Sequence, residues 1–418
     1  MTESRFDVVI IGSGVIGVCC GYYLAQSGHR VCLLDRNKVG SGSSWGNAGL
    51  ICTSHCVPLS APGVPHKVLA WMFRPDSPFH LKPRFDRNLL TWLWSFMTHC
   101  SHRHRDRCLP ILRDFSQASA ALYRDFARDP NLDFDHGDDG LLYIANTNRG
   151  FADLVSEAEL HNSIGVKGTI VTSEKIPDYL PGFRTCVSGA VFYPEDQHVN
   201  PAKFVTQLAD QLPSENVSLH EETEVTGFKE SGGRLASVET TKGKFTADHF
   251  VLAAGSVSPQ LTRQLDIHVP VQPAKGYSIT VAKPPAYPHI PMLLTESKVA
   301  VTPMGESLRF AGTLELTGHD DRVNHRRVQA IVNAVGQYLP DLKLPEWTER
   351  EIWHGFRPCS PDGLPIIGRT RHLKNLILAT GHAMIGQTLG PATGLLVAQL
   401  IANQNPIVDP TPFNPDRF

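Results

Sequence analysis

Gly12-Ser13-Gly14-Val15-Ile16-Gly17 is a Gly-x-Gly-x-x-Gly run between a β-rich stretch at residues 7–11 and a helix-compatible stretch at 18–26. The run alone is weak evidence. A strand before it, a helix after it and an acid closing the next strand make it a dinucleotide-binding fingerprint. Gly12 permits the sharp turn, Gly14 lets the backbone approach a pyrophosphate, and Gly17 allows close packing of helix on sheet. The helix opened by Val15 and Ile16 offers N–H groups and partial positive charge to phosphates. Asp35 closes the second strand, residues 30–34, where it can accept hydrogen bonds from ribose hydroxyls. Its charge repels a 2′-phosphate, which argues against NADP; Arg36 beside it is a further candidate contact. The alternative is a glycine turn with no ligand.

Three other segments favour a long, buried FAD over an exchangeable NAD. Ser43, Ser44, Asn47, Ala48 and Gly49 form a run of small and hydroxylated residues soon after the second strand. Ala254 and Gly255 end a buried strand at 249–254, and Val225 lies in a shorter strand at 223–228. Gly381, His382, Gly386, Gln387 and Thr388 form a glycine-rich turn ahead of a helix at 391–402. Two clusters look like metal ligands. Cys100, His102, His104 and Cys108 alternate with Arg103, Arg105 and Arg107, which would repel a cation, and Cys52, His55 and Cys56 lie beside the small-residue run. No metal is expected at either.

The elements that must position these residues follow from periodicity. Residues 58–84 are rich in proline and aromatics and read as an irregular excursion. Helices are expected at 89–97, 108–126, 201–212 with Asn200 as cap, and 328–338. Short strands are expected at 217–219, 223–228 and 234–240, a β-rich block at 277–317, and a strand at 375–380. Nucleotide-type features thus occur at the start, middle and end. The fold class is α/β with an α+β insertion. A discontinuous cofactor domain takes residues 1–57, 187–265 and 350–418, and a substrate domain takes 58–186 and 266–349.

The chain has 418 residues, 41% hydrophobic and 19% charged, with a net charge of −2, which leaves no footprint for nucleic acid. No stretch has the length of a membrane span. Nine cysteines without a Cys-x-x-Cys pair do not form a disulfide framework; Cys19, Cys20 and Cys32 read as reduced core thiols of a cytoplasmic protein. Trp71, Trp92 and Trp94 with Phe73 and Phe96 either pack in a core or interface or touch a membrane or quinone.

Several stretches together resemble the D-amino-acid oxidase superfamily, and within it the bacterial D-amino-acid dehydrogenase small-subunit group. They are Asn47-Ala48-Gly49, Ala61-Pro62-Gly63-Val64-Pro65 with Trp71-Met72-Phe73, Lys275-Gly276-Tyr277-Ser278, Arg357-Pro358 with Pro361-Asp362-Gly363, and Thr380-Gly381-His382. The resemblance implies a Rossmann-type, glutathione-reductase-like FAD domain and a mainly antiparallel sheet roofing the substrate. It implies oxidation of the C–N bond of a D-amino or D-imino acid. Arg357 matches an arginine that binds the substrate carboxylate, Tyr277 a tyrosine that touches it, and His382 a turn beside the flavin ring. Each has a plainer alternative: a surface ion pair, a sheet-packing aromatic and a buried, hydrogen-bonded histidine.

Relatives carry Gly-His-Gly-x-Leu-Gly-Trp-Thr where this chain has Gly-His-Ala-Met-Ile-Gly-Gln-Thr, so Gln387 replaces a tryptophan. That leaves room for D-proline or cis-4-hydroxy-D-proline. Covalent members place a flavin-linking cysteine where Gly355 stands, so noncovalent FAD is expected. Sarcosine-oxidase relatives place a lysine where Leu308-Arg309-Phe310 lies, which favours a quinone or respiratory-chain acceptor over oxygen. Peripheral contact with the inner face of a membrane is compatible with that acceptor. An oxygen-using oxidase and a non-catalytic FAD-binding subunit are the competing readings.

Overall fold

The computed structural model describes residues 5–64, 77–82, 84–213, 215–344 and 351–418. Trp71, Met72, Phe73 and Pro65 lie outside the described residues, as do parts of the 58–84 excursion. Two large sheets organise the rest.

The first sheet has a parallel core in the order Val217–His220, Val31–Leu34, Arg5–Ile11, Gly243–Leu252, Leu376–Thr380. Its inner strands Val31–Leu34, Arg5–Ile11 and Leu376–Thr380 carry near-continuous apolar runs because both faces are covered there. Val8 and Ile10 join the helices on one face; Val9 and Ile11 join the cluster beneath the antiparallel hairpin Val225–Ser231/Arg234–Thr240 on the other. The strand expected at 249–254 is the last part of Gly243–Leu252, whose first half is polar and half-exposed and carries no apolar signal.

The helices begin earlier than their apolar patterns suggest. Val15–Gln26 starts directly after Gly14. His102–Phe126 starts six residues ahead of expectation, with Ser101 accepting from the His104 N–H. Gly386–Ala402 starts five residues ahead of Pro391, which lies inside it. A proline there cannot donate to the carbonyl four residues back, that of Gln387. The Tyr123 hydroxyl donates to that carbonyl instead, at 2.7 Å, and the helix continues through the proline. Helices Val15–Gln26 and Gly386–Ala402 pack closely, since a Cβ on Gly394 would lie 2.5 Å from the Cys19 backbone. A Cβ on Gly390 would lie 2.7 Å from Val15 Cγ2, so the starts of the two helices lie side by side.

The second sheet runs Glu351–Cys359, Gln272–Ala282, Ser307–Leu316, Val299–Met304, Met292–Leu294, Leu141–Ala145, Gly189–Tyr193, Thr169–Thr172, with Phe79–Leu81 beside Ser307–Leu316. Its pairs are antiparallel except Met292–Leu294 with Leu141–Ala145 and Phe79–Leu81 with Ser307–Leu316. Helix His325–Tyr338 packs Val328, Ile331 and Val335 with Tyr277, Ile279 and Phe310. Gly189–Tyr193 and Glu351–Cys359 belong to this second sheet, although the expected boundaries group their residues with the cofactor part. Glu351–Cys359 pairs along its whole length with Gln272–Ala282, and that backbone pairing sets its place.

Candidate active site

A cavity of about 1180 Å³ lies between the sheets. One part is built for a dinucleotide. Gly12 has φ +106°, and a Cβ on it would sit 2.6 Å from the Ala253 carbonyl; one on Gly17 would sit 1.8 Å from the Gly12 oxygen. Only glycine fits either place, so Gly17 acts through packing and does not itself line the cavity. Gly12, Gly14, Val15 and Ile16 do. Asp35 accepts from the Ser13 N–H and Oγ–H at 2.7 and 2.9 Å and from the Asn37 N–H at 2.8 Å, which fixes its carboxylate at the strand end. Arg36, Thr223 and Val225 line the wall nearby.

The small-residue run crosses between the sheets. Ser44 Oγ accepts from the Val15 N–H at 2.9 Å, and Ser43 Oγ donates to the Phe356 carbonyl at 2.6 Å. Ser43, Ser44, Asn47 and Ala48 line the cavity, while Gly49 takes φ +75° just behind it. Ala254 and Gly255 form another wall, followed by His382, Gly386, Gln387 and Thr388. Gly381, with φ +75°, turns the chain into that last segment. These residues fit FAD: a backbone cradle closed to side chains, two helix starts with partial positive charge, and a wall of small residues for a flat ring. Gln387 Nε2 donates to the Tyr123 oxygen at 3.0 Å, whereas its buried Oε1 has no partner.

The remaining wall carries the candidate chemistry. Arg357 projects from Glu351–Cys359 into the cavity, where burial pulls its guanidinium below its ordinary value. Its Nη1 donates to the Thr313 carbonyl at 2.9 Å, and no acidic side chain pairs with it among the described residues. Trp92, Phe96, Phe79, Leu314 and Leu316 supply an apolar wall. Tyr277 also borders the cavity, but its hydroxyl donates to Glu315 Oε2 at 3.1 Å and accepts from the Asn324 N–H at 3.2 Å. Glu315 is shared with buried Lys275 and Arg327. The phenol thus serves that ionic cluster and is not turned to the same point as Arg357. Burial pushes His382 down to about 3, so it is neutral; its Nε2 meets Thr393 Oγ1 at 3.1 Å, within the following helix.

Among the described residues no group of three or more His, Cys, Asp or Glu could hold a metal. His104 Nε2 instead meets the Asp362 carbonyl at 2.7 Å and Cys108 Sγ at 3.4 Å. Cys359 is fully buried and its thiol is pushed up to about 12, which makes it a poor nucleophile.

The family described as FAD dependent oxidoreductase, DAO, matches residues 7–400. The chain belongs to the DAO family. Among curated DAO relatives, the D-amino acid dehydrogenase of Granulibacter bethesdensis is 32% identical over 409 residues, covering 96% of this chain and 97% of that protein. The D-amino acid dehydrogenase of Rhizorhabdus wittichii is 32% identical over 420 residues, covering 98% and 100%. Glycine oxidase from Geobacillus kaustophilus has a similar structure, with a TM-score of 0.79 at 26% identity and 100% of both chains covered. L-proline dehydrogenase from P.horikoshii shares the fold, with a TM-score of 0.74 at 19% identity over 100% of this chain and 98% of its own. This DAO chain is an FAD-dependent oxidoreductase of amino acids. Among the wall residues that the sequence does not disclose are Thr313, inside an unbroken β-rich run, and Tyr143, in a stretch where no element was expected.

Proposed function

We propose that this chain dehydrogenates a D-amino or D-imino acid, with D-proline and cis-4-hydroxy-D-proline as candidate substrates, and passes the electrons to a quinone or another respiratory-chain acceptor. The observation that carries the reading is Arg357, a half-buried guanidinium that lines the cavity and has no carboxylate partner among the described residues, in a site otherwise fitted to FAD. A substrate carboxylate supplies the missing charge in bidentate geometry. Bound FAD would supply the hydride acceptor. Arg357 would then orient the substrate's C–H bond, and the apolar wall of Trp92, Phe96 and Leu314 would exclude water from it. His382 is neutral and spent on Thr393, so it positions the turn and holds no proton for the substrate. A scaffold subunit has no use for such a clamp.

Two features support an acceptor other than oxygen. Arg309 donates to Thr280 and to the carbonyls of Trp45 and Asn47, so its charge braces the small-residue run. Helix Arg87–His99 turns Trp92 and Phe96 to the cavity and leaves Leu90, Trp94 and Met97 exposed, with Phe85 beside them. That outer face suits peripheral contact with a membrane carrying the acceptor. No helix among the described residues is long and apolar enough to cross a membrane. The likeness to glycine oxidase favours the second reading, an oxidase using oxygen.

The test is anaerobic mixing of the yellow protein with paired D and L isomers of proline, hydroxyproline and alanine, followed by oxygen or a soluble quinone. Faster bleaching by the D isomers and reoxidation by the quinone are expected. Preference for L isomers would defeat the stereochemical part, and turnover-rate reoxidation by oxygen would establish the oxidase. Arg357→Ala should lower kcat/KM more than tenfold while FAD content is kept, since losing the partner of a desolvated carboxylate costs about 2–5 kcal/mol.

A further inference from the structure

We propose that Gly276 and Thr313 are positioning residues that set where the Arg357 guanidinium stands. Resting on the proposed role of Arg357 as carboxylate clamp, this explains how a long, flexible side chain is held without an acidic partner. Thr313 has φ +63°, a conformation that β-branched residues almost never adopt. It lies in Ser307–Leu316 opposite the register shift between Lys275 and Tyr277. It is 8% exposed, and its Oγ1 is buried without a hydrogen-bond partner. The side chain therefore gains nothing visible from the strain, whereas the carbonyl of the same residue takes Arg357 Nη1 at 2.9 Å. Strain kept at a cavity wall has its use in what the backbone presents there.

Gly276 supplies the other half. A Cβ built on it would lie 2.0 Å from Arg357 Nη1 and 2.5 Å from both Cζ and Nη2. The guanidinium is thus seated directly on the Gly276 backbone, in space that any side chain would take. Gly276 does not have a left-handed φ, so alanine is compatible with the strand. What must move is the end of the arginine. Floor and acceptor together fix one edge of the guanidinium, and no other hydrogen bond from it ends on a described residue. Its remaining donors are left for a ligand.

Gly276→Ala tests this in the FAD-loaded enzyme. KM for the amino acid substrate should rise about tenfold through lost carboxylate pairing, with kcat at saturation changing less. The dissociation constant of a non-oxidisable carboxylate, read from the flavin spectrum, should rise in parallel, with FAD content and Tm near wild type. In an Arg357→Ala background, Gly276→Ala should add almost nothing, because its target is gone. Unchanged KM and carboxylate affinity, or a Gly276→Ala effect of full size without Arg357, would overturn the proposal. If Arg357→Ala itself leaves KM and carboxylate affinity unchanged, the clamp reading has failed first. Should Gly276→Ala not fold, Thr313→Gly in the same cycle serves as the second variant: freeing the carbonyl that holds Nη1 should raise KM and the carboxylate dissociation constant only where Arg357 is present, and no change would overturn the proposal.

Discussion

At the scale of single residues, the site combines one charge that wants a partner with one backbone that wants to relax. The two effects can be separated experimentally at Thr313. A strained left-handed residue costs about 1–3 kcal/mol. Glycine is free of that strain but loses about 0.5–1 kcal/mol in chain entropy. The difference favours Thr313→Gly, so its urea midpoint should rise without a change in slope. A lowered midpoint would mean that the methyl and hydroxyl groups pack more favourably than their unpaired state implies. The same scale shows what residue types alone disclose. Gly12, Gly17 and Asp35 announce themselves because their spacing is fixed by a turn, a packing distance and a strand end. Tyr277 is legible as an aromatic in the roof strand, but nothing in its neighbourhood of sequence tells that Glu315 and Asn324 engage its hydroxyl. That contact depends on a helix and a strand brought together only by folding.

Among the elements, helix Gly386–Ala402 shows how a local rule is overridden from a distance. Pro391 reads as a helix start, yet the helix begins earlier because Tyr123 replaces the missing donor to Gln387. Tyr123→Phe leaves that carbonyl and the Gln387 amide without their partner, and an unsatisfied buried polar group costs about 1–3 kcal/mol. The variant should melt earlier and release FAD more readily on dialysis, because the unsupported turn lines the cofactor cavity. Unchanged Tm and FAD content would show that water or a helix shift replaces the hydroxyl. The strands were legible where both faces are apolar, as in Arg5–Ile11. They were not where a strand is half polar, as at the start of Gly243–Leu252, or where the chain between residues 127 and 200 contributes strands of five residues or fewer. The pairing of Glu351–Cys359 with the substrate sheet could not be read from its residues, since backbone register leaves no mark on composition.

For the molecule as a whole, buried titrating groups set the response to acid. His161 and His198 are pushed down to about 4 and His382 to about 3, all by burial. Each stays neutral in the folded state, while its unfolded form takes up a proton below about pH 6.5. Their contribution is complete above that pH and is lost as the pH falls toward the folded values. Asp196 works the other way. Burial raises it to about 6 against the hydrogen bonds it accepts from Thr53 and Ser54, so its contribution declines as the pH rises from about 4 to 6. The histidines outweigh the one aspartate, and burial also lowers His55, His80, His220, His249 and His319, so unfolding near pH 5 takes up protons on balance and stability falls with pH there. Tm should therefore drop steeply between pH 6.5 and 5; a flat profile would refute the neutral assignments. The exposed face of Leu90, Trp94 and Met97 makes a second prediction at this scale. Residues 79–107 hold six Lys and Arg against two Asp, so vesicles containing anionic lipid should bind the protein in a salt-sensitive way. Trp94→Glu should weaken that binding and leave dye-linked activity intact; equal binding by both forms would place the contact elsewhere.

The close packing of Val15–Gln26 against Gly386–Ala402 has a consequence for how the protein is born. The cofactor cradle begins with Gly12, but its parallel sheet lacks Leu376–Thr380 and its first helix lacks a partner until those late segments are made. Contacts so distant in sequence form slowly and cannot form on a growing chain. Until then Val8, Ile10 and Leu33 have an incomplete cover, and there is no finished seat for FAD. Cofactor capture is thus a late event in biogenesis. Flavin supply in the expressing cell should govern how much chain escapes aggregation, more than how fast the surviving enzyme turns over.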